Sequence, residues 1–213
     1  QAKLIERLVT AYGKPSDRFV TADLDVAQLA TFNTAHPQPV GMLITDRVNV
    51  LNACRDLASS VGAQVSMSRA GKMRLLKVQA PGTSRMTITP NMMVLQDLAP
   101  VSRTTVVAAV KLGFNRNWTP QEQLTTGLSA VDKEDFALDM LPAQAEDLAV
   151  AATYKLSTEP VQQDTMLLKR TDADAEALRR LAIWKVQKQV YQFTAYAEMF
   201  DLQLGDTVTV THP

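Results

Sequence analysis

The chain is poor in the residues from which catalytic and metal sites are most often built. Its 213 residues include one cysteine, Cys54, and two histidines, His36 and His212. A single cysteine excludes an internal disulfide and a site with several cysteine ligands. Cys54 falls on the apolar stripe of a predicted helix, where a free thiol behaves as a small hydrophobic group. Neither histidine has a second ligand at metal spacing, so no cofactor and no metal site are expected.

The chain also lacks a net charge. Lysine plus arginine and aspartate plus glutamate each number 22, so the formal net charge is zero. Proteins that hold nucleic acid attract its phosphates with a basic surface or stripe, and no stable contact with nucleic acid is therefore expected. Zero net charge removes one defence against self-association, which suits a subunit of an oligomer.

Long apolar runs and catalytic signatures are missing as well. Residues 106–110 form one of the longest apolar runs, far short of the roughly 20 residues that a bilayer span needs. We therefore expect no membrane contact. No nucleotide-binding G-x-G-x-x-G and no hydrolase G-x-S-x-G occurs, so the chain is not expected to be an enzyme. It opens inside a helical pattern and ends after a strand, which predicts a piece of a longer protein.

Residues 1–80 are predicted to form a small α+β lobe. Apolar residues at helical spacing, followed by an alternating pattern, predict three helices and a β-hairpin. These lie at 4–12, 24–32, 46–62 and 65–79. Asp46 is the expected N-cap of the third helix. The Pro-Gly segment at 80–84 is the expected boundary of the lobe.

Residues 85–213 are predicted to form a β-rich unit with one long helix. Strands are predicted at 86–89, 93–98, 103–115, 148–156, 165–169, 190–200 and 207–211, and helices at 130–140 and 172–189. This many strands with a single long helix is typical of an antiparallel β-barrel or sandwich that carries a helix. The predicted fold class is therefore α+β.

The predicted helix 172–189 has apolar residues on two sides. The first stripe consists of Ala177, Leu181 and Trp184, and the second of Ile183, Val186 and Val190. A helix packed on one sheet needs one apolar stripe. The second stripe is expected to face a larger core or a neighbouring subunit, and a surface helix with scattered apolar residues is the alternative. Ile183, Trp184 and Val186 are therefore candidate interface residues.

Trp118 ends a short run in which basic and aromatic side chains alternate. The run consists of Lys111, Phe114, Arg116 and Trp118. Proteins that bind single strands use such alternation, but this run is short and the chain has no net positive charge. Trp118 is predicted instead to cap the barrel or to lie in an interface.

The densest group of carboxylates lies shortly after Trp118 in the sequence. It consists of Asp132, Glu134, Asp135 and Asp139. One helix could present Asp132, Asp135 and Asp139 together, but an acid–base pair also needs a desolvated pocket that separates the two pKa values. No apolar surroundings are evident and Lys133 is adjacent, so a solvated helix face is the favoured interpretation. A hydrolase that uses these carboxylates is the alternative.

Several short stretches carry a resemblance to a known family. They are Asp-Ala-Asp-Ala-Glu-Ala-Leu-Arg-Arg-Leu-Ala at 172–182, Tyr-Gln-Phe-Thr-Ala at 191–195 and Leu-Gly-Asp-Thr-Val-Thr-Val-Thr-His-Pro at 204–213. They resemble the central tail-tip or baseplate-hub proteins of tailed bacteriophages and prophages, in which an Ala-, Arg- and Glu-rich helix precedes a long strand and a Gly-Asp turn opens the next. Residues 45–51 and 57–63, with the hairpin, resemble an accessory lobe of such proteins.

The resemblance implies a structural role. Members form a ring, commonly trimeric, that closes the tail tube and connects it to the spike or fibres. The implied partners are further copies of the chain in a homotrimer and the tube, spike and fibre proteins. The implied location is the virion tail, after synthesis in the bacterial host cytoplasm. The strand at 207–211 is then expected to pair with a strand beyond Pro213. The alternative function is a module that binds host-surface glycan or protein through residues 33–39 or Trp118.

Overall fold

The computed structural model describes residues 1–94, 98–124 and 127–211, which form a mixed α+β fold. The helices are α1 (Ala2–Ala11), α2 (Val26–Ala35), α3 (Val50–Ser59), α4 (Ala130–Ala137), α5 (Leu148–Tyr154) and α6 (Arg170–Trp184). The strands are β1 (Ala63–Met67), β2 (Met73–Lys77), β3 (Met86–Ile88), β4 (Ala99–Arg103), β5 (Ala109–Phe114), β6 (Leu141–Glu146), β7 (Gln163–Asp164), β8 (Gln189–Gln192) and β9 (Val208–Val210). The predicted α+β class is confirmed.

The first three helices form where the sequence predicts them. The Asp25 carboxylate caps α2 by accepting a hydrogen bond from the Gln28 amide at 3.2 Å. The Asn49 side chain caps α3 by accepting one from the Leu51 amide at 2.8 Å. The prediction of Asp46 as the N-cap is therefore wrong, because Asn49 is the residue whose side chain reaches the first free amides of the helix.

The predicted hairpin is confirmed. Strands β1 and β2 pair antiparallel, with Ala63 opposite Lys77 and Met67 opposite Met73. Their turn contains Gly71 at φ 72°, a left-handed conformation in which a residue with a Cβ atom is strained. A local signal in the sequence thus determines this element.

The predicted strand at 103–115 is wrong as a single element. Its first part belongs to β4, which pairs with β8, and its second part is β5, which pairs with β6 and β7. Between them the backbone bonds to the end of α6 and to the segment that follows it: the Val107 amide donates to the Trp184 carbonyl at 3.1 Å, and the Thr104 amide donates to the Lys188 carbonyl at 2.8 Å. An alternating pattern reports which face is buried, but it does not report a change of pairing partner.

The predicted strand at 148–156 is also wrong, because this segment forms helix α5. Its N-cap is Asp147, whose carboxylate accepts a hydrogen bond from the Val150 amide at 3.2 Å. The strand in this region is β6, which the sequence did not predict because proline and alanine have low β-propensity. Pairing with β5 holds it in place, with Val110 opposite Ala145 and Leu112 opposite Ala143.

Three further predictions need new bounds. The long helix ends at Trp184 rather than at 189, and the strand at 190–200 shortens to β8, followed by a 3-10 turn at Ala197–Asp201. The strand at 165–169 is replaced by β7, with an isolated bridge from Leu167 to Val40. Residues 95–97 of the predicted strand 93–98, and His212 with Pro213, lie outside the described residues.

The predicted barrel is not confirmed. The strands are distributed over the sheets β1–β2, β3–β9, β4–β8 and β6–β5–β7, and within the described residues none of these closes on itself. Closure requires every strand to have a neighbour on both sides, and here β5 alone is shown with two. The strand pairs are also not all antiparallel, since β3 runs parallel to β9 and β5 parallel to β7.

The largest hydrophobic core extends across the predicted boundary at 80–84. It contains Ile5 and Leu57 from the first three helices together with Phe114 from β5 and Leu167. A second cluster holds α6 on β5 and β6 through Ala177 and Leu181 against Val110, Leu112 and Ala145. A third joins β3, β9 and the segment after β8 through Ile88, Met93 and Met199.

Candidate functional site

Helix α6 is held in place by a buried carboxylate. Glu176 is 6% exposed and lies on the same side of α6 as Ala173 and Ala177, which are fully buried. The Arg179 guanidinium binds it through two nitrogens, Nε to Oε2 at 2.7 Å and Nη2 to Oε1 at 2.6 Å. Arg180 adds a third bond, from Nε to Oε1 at 2.8 Å. Such paired, charge-assisted bonds offset the large free-energy cost of burying the carboxylate.

The two arginines also connect α6 to its neighbours. Arg179 Nη1 donates to the Val78 carbonyl just after β2 at 2.6 Å. Arg180 Nη2 donates to the Ser59 carbonyl at the end of α3 at 2.5 Å, and its Nη1 donates to Gln163 Oε1 in β7 at 2.6 Å. One carboxylate and two guanidinium groups thereby fix α6 relative to three other elements.

The protonation of this cluster follows from its contacts. Burial by itself raises the pKa of Glu176, but the hydrogen bonds from Arg179 and Arg180 outweigh it, so the pKa lies below its ordinary value. The pKa of Lys77 is lowered, first by burial and then by the charge of Arg179. Burial and then the Lys77 charge lower the pKa of His36 from 6.5 to about 4. The imidazole is therefore neutral near pH 7, and the Glu176 carboxylate is ionised.

A cleft beside this cluster contains two of the predicted interface residues. We call it the helix cleft; it has a volume of about 280 Å³. Its apolar lining consists of Ile183 and Trp184 from α6 together with Val78, Val107 and Val110. Trp184 is 37% exposed, and the Lys188 ammonium lies 5.7 Å from the centre of its ring. The structure thus brings Ile183 and Trp184 together at one accessible apolar surface.

The second apolar stripe predicted for the helix does not exist as such. Because α6 ends at Trp184, Val186 follows the helix and Val190 lies in β8. Both side chains are exposed, Val186 by 57%. Of the first stripe, Ala177 and Leu181 are buried as predicted. Glu176 was not predicted as a site residue, although the arginines three and four positions later in the sequence are a signal for such an ion pair.

Trp118 lines an open cleft of about 520 Å³ that we call the Trp118 cleft, and its place at a barrel end or in an interface stays a prediction. Trp118 is 46% exposed, and the Arg116 guanidinium lies 4.9 Å from the centre of its ring. Phe136 of α4 is 50% exposed and lines the same cleft with the carboxylates Asp132 and Asp135. Two exposed aromatic rings and two carboxylates thus share one concave surface.

The loop that carries Trp118 is fixed by hydrogen bonds. The Asn117 side chain accepts one from the Thr119 amide at 3.0 Å and donates one to the Phe136 carbonyl at 2.9 Å. The Asn117 amide donates to the Asp139 carbonyl at 2.8 Å, and Asn115 adopts a left-handed conformation at φ 50°. The loop and the end of α4 therefore form one connected element.

The remaining sequence candidates are accounted for by their surroundings. Cys54 is 0% exposed, and burial raises the pKa of its thiol to about 11. Residues 33–39 are bound by neighbouring segments: Asn33 Oδ1 accepts a hydrogen bond from the terminal amine of Gln1 at 3.1 Å, and the Pro39 carbonyl accepts one from the Leu168 amide at 3.3 Å. Among the residues that the sequence singled out, the accessible ones include those that line the helix cleft and the Trp118 cleft.

Neither cleft has the composition of a metal site. Across residues 1–94, 98–124 and 127–211 there is no cluster of three or more histidine, cysteine, aspartate or glutamate side chains placed to hold a metal ion. In the same part of the chain, every helix is too short or too polar to cross a bilayer. The chain matches no protein-family model, and no curated protein matches it in sequence.

Proposed function

We propose that the chain is a structural component of a phage or prophage tail tip or baseplate hub. It would form part of the ring that closes the tail tube and connects it to the spike or fibres. Its activity would be to present strand edges and apolar surfaces to further copies of itself and to the tube, spike and fibre proteins. The observation that supports this proposal most directly is the exposure of the sheet β4–β8 and of the helix cleft.

The sheet β4–β8 is the first support. Within the described residues its two strands pair only with each other, and most of their side chains are exposed, including Val101, Val190 and Tyr191. An isolated pair of strands is marginally stable in water, and its free edges are templates for further strands. A sheet of this kind is suited to completion by a strand from a neighbouring subunit.

The predicted barrel would also form through added strands. We infer that β3–β9 and β4–β8 become parts of a larger closed sheet only when strands from other subunits or further segments are added. The third hydrophobic cluster already contains Ile88 of β3, and Leu98 and Phe193, which adjoin β4 and β8, pack against it. It would serve as the starting core of such a barrel.

The helix cleft is the second support. Its apolar lining includes Trp184, and Val186 lies two residues beyond it with 57% of its surface exposed. At a contact between subunits tryptophan is among the residues that contribute most to binding, and the apolar residues around it exclude water. Ile183, Trp184 and Val186 therefore form the proposed contact with a second copy.

Self-association provides the first test of this function. Val186→Lys places a charge in the proposed contact, which disfavours association because the ammonium loses its hydration. The matched control is Val161→Lys, the same change at a valine that is 88% exposed. Sedimentation velocity at increasing protein concentration should show oligomers for the unaltered chain and the control, and a shift of at least roughly tenfold in the association constant for Val186→Lys. A chain that stays monomeric at all concentrations contradicts the proposed contact.

Location in the particle is the second part of the test. An antibody against this chain, applied to phage particles induced from a host that encodes it, should label the distal end of the tail in electron micrographs. Label on the capsid, or particles without label, would overturn the tail-tip proposal whatever the oligomeric state of the isolated chain.

A module that binds host-surface glycan or protein remains the second candidate. The Trp118 cleft favours it over pure scaffolding, because Trp118 is exposed on a fixed loop and Phe136 is exposed on helix α4. Of the two surfaces considered for this role, residues 33–39 are engaged by Gln1 and Leu168, whereas Trp118 is accessible.

A further inference from the structure

The Trp118 cleft combines apolar ring faces with hydrogen-bonding groups in a way that limits its ligands. Trp118 and Phe136 are each about half exposed, and they share the cleft with Asp132 and Asp135. An aromatic face left open to water gains free energy when an apolar surface covers it. Carboxylates, by contrast, require hydrogen-bond donors. A ligand that fits must present both an apolar face and donors at its edge.

The charged groups around the Trp118 ring further limit which ligands can bind. Asp132 and Asp135 repel anions, whereas the Arg116 guanidinium, 4.9 Å from the ring centre of Trp118, repels cations from that ring. An anion therefore meets two carboxylates, and a cation that approaches the Trp118 ring meets the guanidinium, so neither charge finds surroundings of only the opposite sign. An uncharged ligand meets neither penalty.

We propose that the Trp118 cleft binds an uncharged pyranose sugar within a glycan. A pyranose ring has a face of C–H groups that can cover Trp118 or Phe136, and its hydroxyl groups lie around the edge of the ring, where they can donate to carboxylates. Asp132 Oδ2 already accepts the Ser129 hydroxyl at 2.6 Å. Within the described residues, the Asp135 carboxylate has neither a hydrogen bond nor an ion pair, so it is the expected acceptor.

The size and order of the site agree with this ligand. A volume of about 520 Å³ falls within the roughly 300–1,000 Å³ of small-molecule sites. The hydrogen bonds of Asn117 to Thr119 and Phe136 fix the loop before a ligand arrives, which reduces the entropy lost on binding. The proposal rests on the second candidate function, the binding module, whose ligand class it names, and it does not depend on the tail-tip function.

The two tryptophans of the chain make the test specific. The indole N–H signals of Trp118 and Trp184 can be followed separately by NMR and assigned with Trp118→Phe. A glycan array, read against Trp118→Ala, first selects a neutral glycan, and the corresponding oligosaccharide is then titrated into the labelled full chain. The Trp118 signal should shift, and the Trp184 signal in the helix cleft should not.

The variants and controls decide each outcome. Trp118→Ala and Asp135→Asn should each weaken binding about tenfold, a loss within the range of an aromatic contact or of a hydrogen bond to a charged group. Tyr154→Ala removes an exposed aromatic residue of α5 and should leave binding unchanged. Far-ultraviolet circular dichroism confirms that each variant folds.

Several results would overturn the proposal. One is an array on which no neutral glycan binds the chain more strongly than it binds Trp118→Ala. Another is a Trp118 signal that shifts only with an anionic oligogalacturonate or only with an arginine-rich peptide, which would identify a charged ligand. A shift confined to Trp184 would place binding in the helix cleft instead.

Discussion

His36 and Glu176 are single residues whose charge state depends on the fold. Each lies close to Lys77: the imidazole Nδ1 is 3.4 Å from the Lys77 ammonium, and a Glu176 oxygen is 3.9 Å from it. The carboxylate is stabilised by its arginine partners, whereas the imidazole has a cation beside it. Acidification therefore acts on both groups in the same direction, because protons bind them more readily in the unfolded chain.

The first residue-scale prediction is a loss of stability between pH 6.5 and about 4. The pKa of His36 falls from 6.5 to about 4 on folding, so the unfolded chain binds the proton first and stability decreases as the pH falls through this window. Allowing for the partial exposure of the ring, we expect a loss of about 1–2 kcal/mol in the free energy of unfolding. The lowered pKa of Glu176 adds to the loss below its ordinary value of 4.5.

Urea unfolding at a series of pH values, on the unaltered chain and on His36→Asn, measures this effect. The variant lacks the titrating ring, so its free energy of unfolding should depend less on pH between 6.5 and 4. The comparison at pH 8 controls for lost packing, because His36 is neutral there in both states. If the free energy of unfolding depends equally on pH in the two proteins, a group other than His36 causes the loss of stability.

At the scale of elements, the approach of α6 to the end of α3 depends on one glycine. Gly62 has φ 66°, and a Cβ atom at this position would lie 1.9 Å from Arg179 Nη2 and 2.7 Å from Glu176 Oε1. The backbone after α3 therefore runs directly against the buried ion pair. A side chain at this position would separate the charges that hold α6 in place.

This contact predicts different effects for two glycine substitutions. Gly71 has a similar φ of 72°, but a Cβ atom there would have nothing within 4 Å. Gly71→Ala should therefore cost only the left-handed strain, about 1 kcal/mol, whereas Gly62→Ala should cost about 2–4 kcal/mol more because it displaces a buried ion pair. Urea unfolding of both variants checks the difference. Equal losses would mean that Arg179 moves aside without penalty.

At the scale of the whole molecule, the largest core joins segments that are far apart in the sequence. Ile5 and Leu57 belong to the first eighty residues, and the same cluster contains Phe114, Leu167 and Ala173. The lobe boundary at 80–84 stays a prediction, and it can be tested because the core spans both sides of it. The helices and the hairpin before residue 80 bury part of their apolar surface against later segments.

Two truncated chains test this dependence. Residues 1–80 alone lack Phe114 and Leu167, so thermal unfolding followed by circular dichroism should show no cooperative transition. Residues 1–185 keep the two clusters that contain Leu57 and Leu181, and they should unfold cooperatively. A cooperative transition in residues 1–80 would show that the first lobe is an independent domain. A chain 1–185 that fails to fold would show that β8 and β9 are also required.

Elements with strong local signals were the ones predicted well. Helix α1 has regular apolar spacing, α2 and α3 begin at capping side chains, and the hairpin turns at a glycine. The errors in strand assignment include those at β4, β5 and β6, whose state depends on partners far along the chain. The Trp118 cleft was not predicted: the sequence singled out Trp118 and the carboxylates separately, and only the fold placed them at one surface.

The sequence by itself determined the α+β class, the burial of Cys54, the hairpin and the apolar face of α6 around Ala177 and Leu181. Each of these follows from short-range periodicity or from the polarity of a side chain. The tertiary structure decided that β4 and β5 separate, that α6 stops at Trp184 and that Glu176 is buried between two arginines. The physical reason is that strand pairings and buried ion pairs form between segments that are far apart in the sequence. The pattern within a few neighbouring residues does not specify which distant segment supplies the partner.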